Sequence, residues 1–295
     1  MTGARDDSAT SGAPAVAESV AGDPGTPYLD IRLPAGVEAR FEATTEVPAR
    51  AGWRPARTVI DRDLDALVDD LKKSRGCTSR AVAGSLFVLD YARRLSWPVL
   101  SAHLRLGARL DPSWSNVRLA VNPTGLPHVG FAVGPEIGPA KDVAEVVDAL
   151  VTGHFAYLVE RLHTLTGVGR RTLWGNVAVA VMQVFMAFSW ASGDREHFLA
   201  AAQRTLANRP EMRGTVSLES VRHGDQNWMV IWRRTCCLAF RVETQGELSY
   251  CGTCCIVEHD DRVASFHGAA DRYIEIERAG VVARPRVHGD TGKAR

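Results

Sequence analysis

The sequence predicts an α+β protein with a predominantly helical body, small β-hairpins and a C-terminal cysteine-rich segment. Three observations lead to this prediction. Apolar residues recur at helical spacing through most of the chain, two short β-type runs flank a turn-rich stretch, and five of the six cysteines lie between Cys236 and Cys255. With 295 residues, 45% hydrophobic and 23% charged, the chain has an ordinary globular composition and can bury a core.

The composition also limits the classes of function. A formal net charge of +1 argues against a nucleic-acid partner, because nucleic-acid-binding proteins present a basic excess or stripe. Residues 1–27 are rich in Ala, Gly, Ser and Pro, which predicts a disordered tail. They contain no continuous apolar stretch after a basic start, so we expect no secretory signal and a cytoplasmic location. In that reducing compartment, metal binding or redox chemistry by cysteines is favoured over disulfides.

Residues 28–225 are predicted to form the mainly helical body, after an irregular or short-strand start. Residues 61–73 carry leucine and valine at i, i+3, i+4 and i+7, with acids first and lysines last, which predicts an amphipathic helix. A second helix is predicted from about Ser79 to Leu95. Pro98 is expected to open a third, short helix that ends near Gly107.

A β-hairpin and further helices follow. Residues 116–121 (NVRLAV) and 128–133 (HVGFAV) flank the turn-rich NPTGLP and predict two paired strands. A long apolar stripe predicts a helix from Lys141 to about Leu165, ended by Gly167–Gly169. Another helix is predicted from about Asp194 to Leu206.

Residues 173–190 (LWGNVAVAVMQVFMAFSW) are apolar almost all round. The stretch contains Asn176 and Gln183 and is at the short end for crossing a bilayer. We therefore expect a central helix of a buried core and no transmembrane span.

The rest of the chain divides into two parts. Residues 226–256 form the cysteine-rich segment, in which Trp228–Val242 has a β-type composition. Residues 257–295 are polar and are predicted to be a mostly disordered tail, with one short strand at Tyr273–Ile276.

The cysteines follow a pattern that points to a soft metal centre. Cys236 and Cys237 are adjacent, thirteen residues separate them from Cys251, and Cys254 and Cys255 follow. Thiolate ligands favour zinc or iron–sulfur, and no histidine lies within the cluster. The sixth cysteine, Cys77, has no partner in view and is expected to be a structural thiol.

Spacing within the pattern constrains the backbone. Adjacent residues of a strand point to opposite faces, so the chain at Cys236–Cys237 must leave β geometry if both thiols bind one centre. Thr244 lies midway between Cys237 and Cys251, which suggests a hairpin that returns Cys251 beside Cys237. Two adjacent thiolates fit a two-iron cluster more readily than a zinc ribbon, which normally uses two C-x-x-C turns.

These residues also carry a family resemblance. RRTCCLAF (233–240), YCGTC (250–254) and LWGN (173–176) resemble the FhuF-like siderophore-iron reductases, whose pattern is C-C-x10-C-x2-C. The resemblance implies a [2Fe–2S] cluster held by Cys236, Cys237, Cys251 and Cys254, and one-electron reduction of a ferric siderophore that releases Fe(II). Two features depart from the family: the spacer has thirteen residues, and Cys255 is an additional thiol that could replace Cys254 as the fourth ligand.

Partners and alternatives follow from this chemistry. Arg233 and Arg234 could attract an anionic ferric chelate or an acidic electron donor, or simply be solvated charges at a strand end. A ferredoxin-like protein or a flavin reductase would supply the electron, and peripheral association with the inner face of the membrane would need no span. The alternatives are an iron–sulfur carrier or sensor without a siderophore site, and a zinc-stapled structural protein. No motif in the helical body marks a substrate pocket or a catalytic residue.

Overall fold

The computed structural model describes residues 52–137, 142–191, 194–242 and 250–279. The predicted N-terminal tail and the Thr244 turn lie outside these ranges. The helices are α1 (Ala56–Arg62), α2 (Leu64–Arg75), α3 (Arg80–Leu106), α4 (Val143–Leu150), α5 (Ala156–Thr166), α6 (Arg170–Ala191), α7 (Arg195–Ala207) and α8 (His259–Arg278). The strands are β1 (Trp53–Pro55), β2 (Ala108–Arg109), β3 (Val117–Ala120), β4 (His128–Phe131), β5 (Glu136–Ile137), β6 (Val216–His223) and β7 (Gln226–Arg233).

The predicted α+β class is confirmed, with a helical body and small antiparallel sheets. The strand orders are β1-β3-β4, β2-β5 and β6-β7. The predicted β3–β4 pair is present, with Leu119 opposite Val129. Gly125 in its connection has a φ of +79°, and a side chain there would contact the backbone of α2 at Leu67 and Leu71. Glycine is therefore required where this turn rests on the first predicted helix.

Helix α3 differs from its prediction, because the expected break at Pro98 is wrong. The helix runs continuously through Pro98 and ends at Gly107, which takes a left-handed conformation. The apolar face continues on both sides of the proline, with Leu95 and Val99 fully buried. Burial of this apolar face stabilises the helix more than the loss of one backbone hydrogen bond at the proline destabilises it.

The stripe from residue 143 to residue 166 is helical as predicted, but it contains a π-helical turn at Val151–Phe155. This turn places His154 in the interior, fully buried. Its Nε2 lies 2.6 Å from the Tyr91 hydroxyl, its Nδ1 lies 3.0 Å from the Pro112 carbonyl oxygen, and Trp114 stacks on the ring. The wider turn therefore satisfies a polar side chain inside the core.

Helix α6 is the central helix, buried on nearly all sides as expected for a core helix. It packs against α3, α7 and β7. Among the described residues it is the one helix long and apolar enough to cross a bilayer, and 78% of that stretch is buried inside the fold. Such burial is typical of a helix at the centre of a core.

The C-terminal part departs most from expectation. Strand β6 was not predicted, and it pairs with β7 through a two-residue turn at Gly224–Asp225. The prediction of a disordered polar tail is wrong for residues 259–278, which form α8, and no strand exists at Tyr273–Ile276. Helix α8 buries Phe266 and Ala270 against Trp228 and other side chains of β7 in a second apolar cluster. This burial stabilises a helix whose polar composition resembles that of a tail.

Candidate thiolate site

The site begins where β7 ends at Arg233. The backbone leaves β geometry before Cys236, as two thiols facing one centre require. Leu238 has a φ of +64°, a left-handed conformation that is rare for residues other than glycine. Its N–H points at the Cys236 sulfur, 3.3 Å away, and the Ala239 N–H donates to the Cys237 sulfur. Two successive backbone donors thus face two successive sulfurs, the arrangement that stabilises bound thiolates.

The second half of the site is a tight turn at residues 251–254. The Cys254 N–H donates to the Cys251 carbonyl oxygen over 2.8 Å, which closes the C-x-x-C turn. The Thr253 carbonyl oxygen accepts from the backbone N–H of Arg233 over 3.1 Å. The turn is therefore attached to the end of β7, next to the Cys236–Cys237 pair.

The fold brings together the five cysteines that the sequence predicted as ligands or alternative ligand. The thiol of Cys237 is hydrogen-bonded to Cys251, so Cys251 does lie beside Cys237. Cys255 interacts electrostatically with Cys236 and Cys254. Cys237 and Cys254 are buried, whereas the other three are partly exposed. Thiols gathered at one end of a hairpin form a candidate site for a soft metal centre.

The thiols of the site differ in their protonation. The hydrogen bond from Cys237 is the main reason why the pKa of Cys251 falls to about 7, with Arg233 contributing in the same direction. The same hydrogen bond and burial raise the pKa of Cys237. Burial raises the pKa of Cys255. Cys251 is therefore readily deprotonated near neutral pH, and Cys237 donates to it.

The fit to a metal can be tested on this donor set. Across the described ranges, no three Cys, His, Asp or Glu side chains are placed to hold a single metal ion. Cys237 lies beside Cys251 instead, and Cys255 interacts with both Cys236 and Cys254. Two-iron clusters divide their ligands between two irons. The donor chemistry, the pairing and the N–H groups toward sulfur fit such a cluster.

Arg233 and Arg234 occupy different environments. Arg234 is exposed, as expected for a charge at a strand end. Arg233 is only 3% exposed and donates from its guanidinium to the Asn176 Oδ1 over 2.8 Å. The solvated-charge interpretation is therefore wrong for Arg233. The reason is that Arg233 lies on the same face of β7 as Met229 and Ile231, and the helical body covers that face.

A buried polar network connects Arg233 to the helical body. The Asn176 Nδ2 donates to the Ser85 carbonyl oxygen over 2.8 Å and contacts the Ser85 Oγ at 2.9 Å. The Ser85 Oγ donates to the Cys237 carbonyl oxygen over 2.7 Å. Helices α3 and α6 thus hold both ends of the Arg233–Cys237 stretch.

Several of these supporting residues were not identified from the sequence. Ser85 had no assigned role, Gly175 entered only through the LWGN resemblance, and Asn176 was also noted as a polar residue in the apolar stretch. Gly175 is required because a side chain there would overlap Thr235, whose Cβ would lie 3.0 Å away. The available signal was a polar side chain within an otherwise apolar helix, since buried polar groups are normally hydrogen-bonded.

Cys77, which the sequence analysis expects to be a structural thiol, lies between α2 and α3. It is buried and forms an isolated antiparallel bridge with Val242, just beyond the Cys236–Cys237 segment. The Thr78 N–H donates to the Arg241 carbonyl oxygen over 3.2 Å. Cys77 thus supports the backbone that leads away from the site.

The fold and the site define a helical α+β protein that carries a cluster of thiols at the end of its β6–β7 hairpin. A family model described as "Ferric iron reductase FhuF-like transporter" matches residues 85–226. Over this stretch, which is just under half of the chain, the chain is similar to the FhuF-like ferric iron reductase family, in agreement with the resemblance noted in the sequence. The match includes Ser85, Gly175 and Asn176 and ends before the cysteines. No curated protein matches the chain.

Proposed function

We propose that the protein is a ferric-siderophore reductase that carries a [2Fe–2S] cluster on Cys236, Cys237, Cys251 and Cys254. The observation that carries this proposal is the meeting of the two cysteine pairs at the end of β7, where the Cys237 thiol bonds to Cys251. The family match supports the reduction of ferric iron. The chemistry of the thiols supports the cluster.

Reduction releases iron because siderophores hold hard Fe(III) through charged oxygens and hold Fe(II) far less tightly. When bound, a [2Fe–2S] cluster supplies one-electron transfer. One electron from the donor converts each Fe(III) to Fe(II), and the siderophore leaves chemically unchanged. The chain's own residues position and tune the site: the N–H groups of Leu238 and Ala239 face the sulfurs of Cys236 and Cys237.

Cys254 is the proposed fourth ligand rather than Cys255. Cys254 closes the hydrogen-bonded turn with Cys251 and is 3% exposed. Cys255 is partly exposed and continues the chain away from that turn. A compact, buried C-x-x-C turn is the usual two-ligand unit of a metal site.

The substrate and the donor approach from solvent. The exposed Arg234 is proposed to attract an anionic ferric chelate or an acidic donor, such as a ferredoxin-like protein or a flavin reductase. The proposed location is cytoplasmic, and the alternative is a cytoplasmic protein that associates peripherally with the inner face of the membrane.

Anaerobic purification of the full chain, followed by metal analysis and visible spectroscopy, tests the cluster. We expect a coloured protein with iron and sulfide. A colourless, zinc-loaded protein would contradict the cluster and support a structural metal site. The dithionite-reduced protein is then mixed with a ferric siderophore and an Fe(II)-specific chelator. Reoxidation of the protein together with captured Fe(II) is expected, whereas a persistent reduced spectrum beside intact chelate would identify a carrier or sensor.

Single Cys-to-Ser variants test the ligand set. Substitution of Cys236, Cys237, Cys251 or Cys254 is expected to abolish or severely reduce cluster content. Cys77→Ser is the matched control, because Cys77 is a buried thiol outside the site. Equal cluster retention in Cys254→Ser and Cys255→Ser would contradict the assignment of Cys254.

A further inference from the structure

Arg233 is a buried cation without an anionic side chain to balance it. It is 3% exposed, and its guanidinium donates to the neutral amide oxygen of Asn176. In the part of the chain that the structure describes, no carboxylate forms an ion pair with it. Burying an uncompensated charge is costly, so proteins normally pair such a group.

The groups that Arg233 does face are the thiols of the site. It interacts electrostatically with Cys237, Cys251 and Cys255, and Asn176 connects its guanidinium through Ser85 to the Cys237 carbonyl oxygen. Its backbone N–H also bonds to Thr253, inside the C-x-x-C turn. Both halves of the thiol site are therefore attached to Arg233, and the negative charge there increases when a metal centre forms on the thiolates.

The support of Arg233 preserves this charge. Asn176 is held by Ser85, and Ser85 in turn holds the Cys237 carbonyl oxygen. An asparagine orients the guanidinium without neutralising it, whereas an aspartate would form a closed ion pair. The network thus holds the Arg233 guanidinium, with its positive charge, in a fixed position near the thiols.

We propose that Arg233, positioned by Asn176, is the counter-charge of the thiolate-bound metal centre and sets its reduction potential. This inference rests on the proposed function for the identity of the centre. Four thiolates and two sulfides outweigh the charge of two ferric ions, and an added electron increases the excess. A fixed positive charge therefore stabilises the reduced state more than the oxidised state. Arg233 acts on the potential and does not touch the siderophore.

Redox titration of Arg233→Gln, Arg233→Lys and Arg234→Gln tests the proposal. At the wild-type midpoint potential, Arg233→Gln is expected to raise the oxidised-to-reduced ratio about tenfold, a shift of about 59 mV to lower potential. Arg233→Lys keeps the charge and is expected to stay within about twofold of wild type. Arg234→Gln removes the same charge from an exposed position, where solvent screens it, and is also expected to stay within about twofold.

Two results would overturn the proposal. One is an equal shift in Arg233→Gln and Arg234→Gln, which would mean that only net charge matters. The other is an equal shift in Arg233→Gln and Arg233→Lys, which would mean that only the hydrogen bond to Asn176 matters. If Arg233→Gln does not fold, Asn176→Asp supplies the test, because an aspartate neutralises Arg233 in place and is expected to lower the potential as well.

Cadmium binding to the apoprotein separates this inference from the proposed function. Cd²⁺ binds thiolates without iron or sulfide, and its affinity can be measured by competition with a chelator. Arg233→Gln is expected to lower that affinity about tenfold relative to Arg234→Gln. If the protein purifies with zinc, the reductase proposal fails. The effect of Arg233 on the affinity for Cd²⁺ can still be measured in that case. Unchanged affinity in Arg233→Gln would overturn the counter-charge itself.

Discussion

Thr235 packs directly against Gly175. A side chain at Gly175 would overlap the Thr235 Oγ1 and lie 3.0 Å from its Cβ. Gly175 belongs to α6, and Thr235 immediately precedes the adjacent cysteines. The contact therefore sets how closely the cysteine segment approaches the central helix.

Gly175→Ala is expected to displace the cysteine segment and to lower cluster content severely while the helical content is retained. Circular dichroism and iron–sulfide analysis of the anaerobically purified protein measure the two effects. Gly169→Ala is the control, because a side chain at Gly169 would meet nothing within 4 Å. The double variant Gly175→Ala/Thr235→Ala removes the overlapping group and should recover part of the cluster. Full cluster content in Gly175→Ala would contradict this account.

Leu238 offers a test of backbone conformation at the site. Its left-handed φ of +64° directs its N–H at the Cys236 sulfur. A β-branched side chain disfavours this conformation strongly, whereas glycine adopts it freely. Leu238→Ile, which keeps the side-chain volume, is expected to lose more cluster than Leu238→Gly, which does not. The reverse order in the visible absorbance of the two variants would show that packing of the leucine side chain dominates.

Burial of His154 should make the stability of the protein depend on pH. Complete burial lowers the pKa of His154 from its ordinary value of 6.5 to about 3 in the fold. The unfolded chain therefore binds a proton that the folded chain does not over this interval. The free energy of unfolding should fall as pH decreases from about 6.5 towards 3, by up to about 1.4 kcal/mol per pH unit from this group.

Chemical denaturation of the apoprotein at several pH values measures this effect. His154→Gln keeps a hydrogen-bonding side chain that does not titrate, so its stability should fall less steeply over the same interval. His163→Gln is the control, because His163 is half-buried and bonds to the Val168 carbonyl oxygen outside the π-helical turn. Parallel slopes for the wild type and His154→Gln would rule out His154 as the source.

Phe266 attaches α8 to β7. It is 6% exposed and packs with Ala270 against Trp228 and Trp232 in the second apolar cluster. Phe266→Ala is expected to weaken the docking of α8 by about 3 kcal/mol. Hydrogen exchange should then accelerate in residues 259–278, with little change in α6. Ser265→Ala changes the neighbouring exposed position and should leave the exchange rates as they are.

Most of the helical body could be predicted because its apolar residues recur at regular spacing. Helix α2 and the β3–β4 hairpin follow directly from local patterns. The spacing of apolar residues did not predict the structure correctly where tertiary contacts decide whether a helix continues or ends. Pro98 lies inside α3 because the buried face continues on both sides of it.

The elements that were missed carried weaker local signals. In β6, Val216 and Leu218 alternate with polar residues before the Gly224–Asp225 turn, but the outer half of the strand is polar. In α8, Phe266 and Ala270 are spaced for a helix, yet charged residues surround them. Both elements are stable because they contact β7. The residue spacing within each element does not reveal that contact.

The cysteines of the site could be predicted from spacing, and their support could not. The pattern from Cys236 to Cys255 is visible in the sequence because the residue types are rare and close together. Arg233 is buried because the helical body covers the face of β7 that it shares with Met229 and Ile231. Its partner Asn176 lies 57 positions earlier in the chain, a separation that a local pattern cannot bridge.

The bond between Ser85 and Cys237 has a consequence for how the protein is made. It joins residues 152 positions apart, so the ribosome has released most of the chain before the second partner exists. The helices emerge first and can pack early, whereas the cysteine segment can acquire its shape only on a finished helical surface. The cysteine segment therefore takes its final shape late in biogenesis, and an incomplete chain that ends within the β6–β7 hairpin lacks all five cysteines of the site.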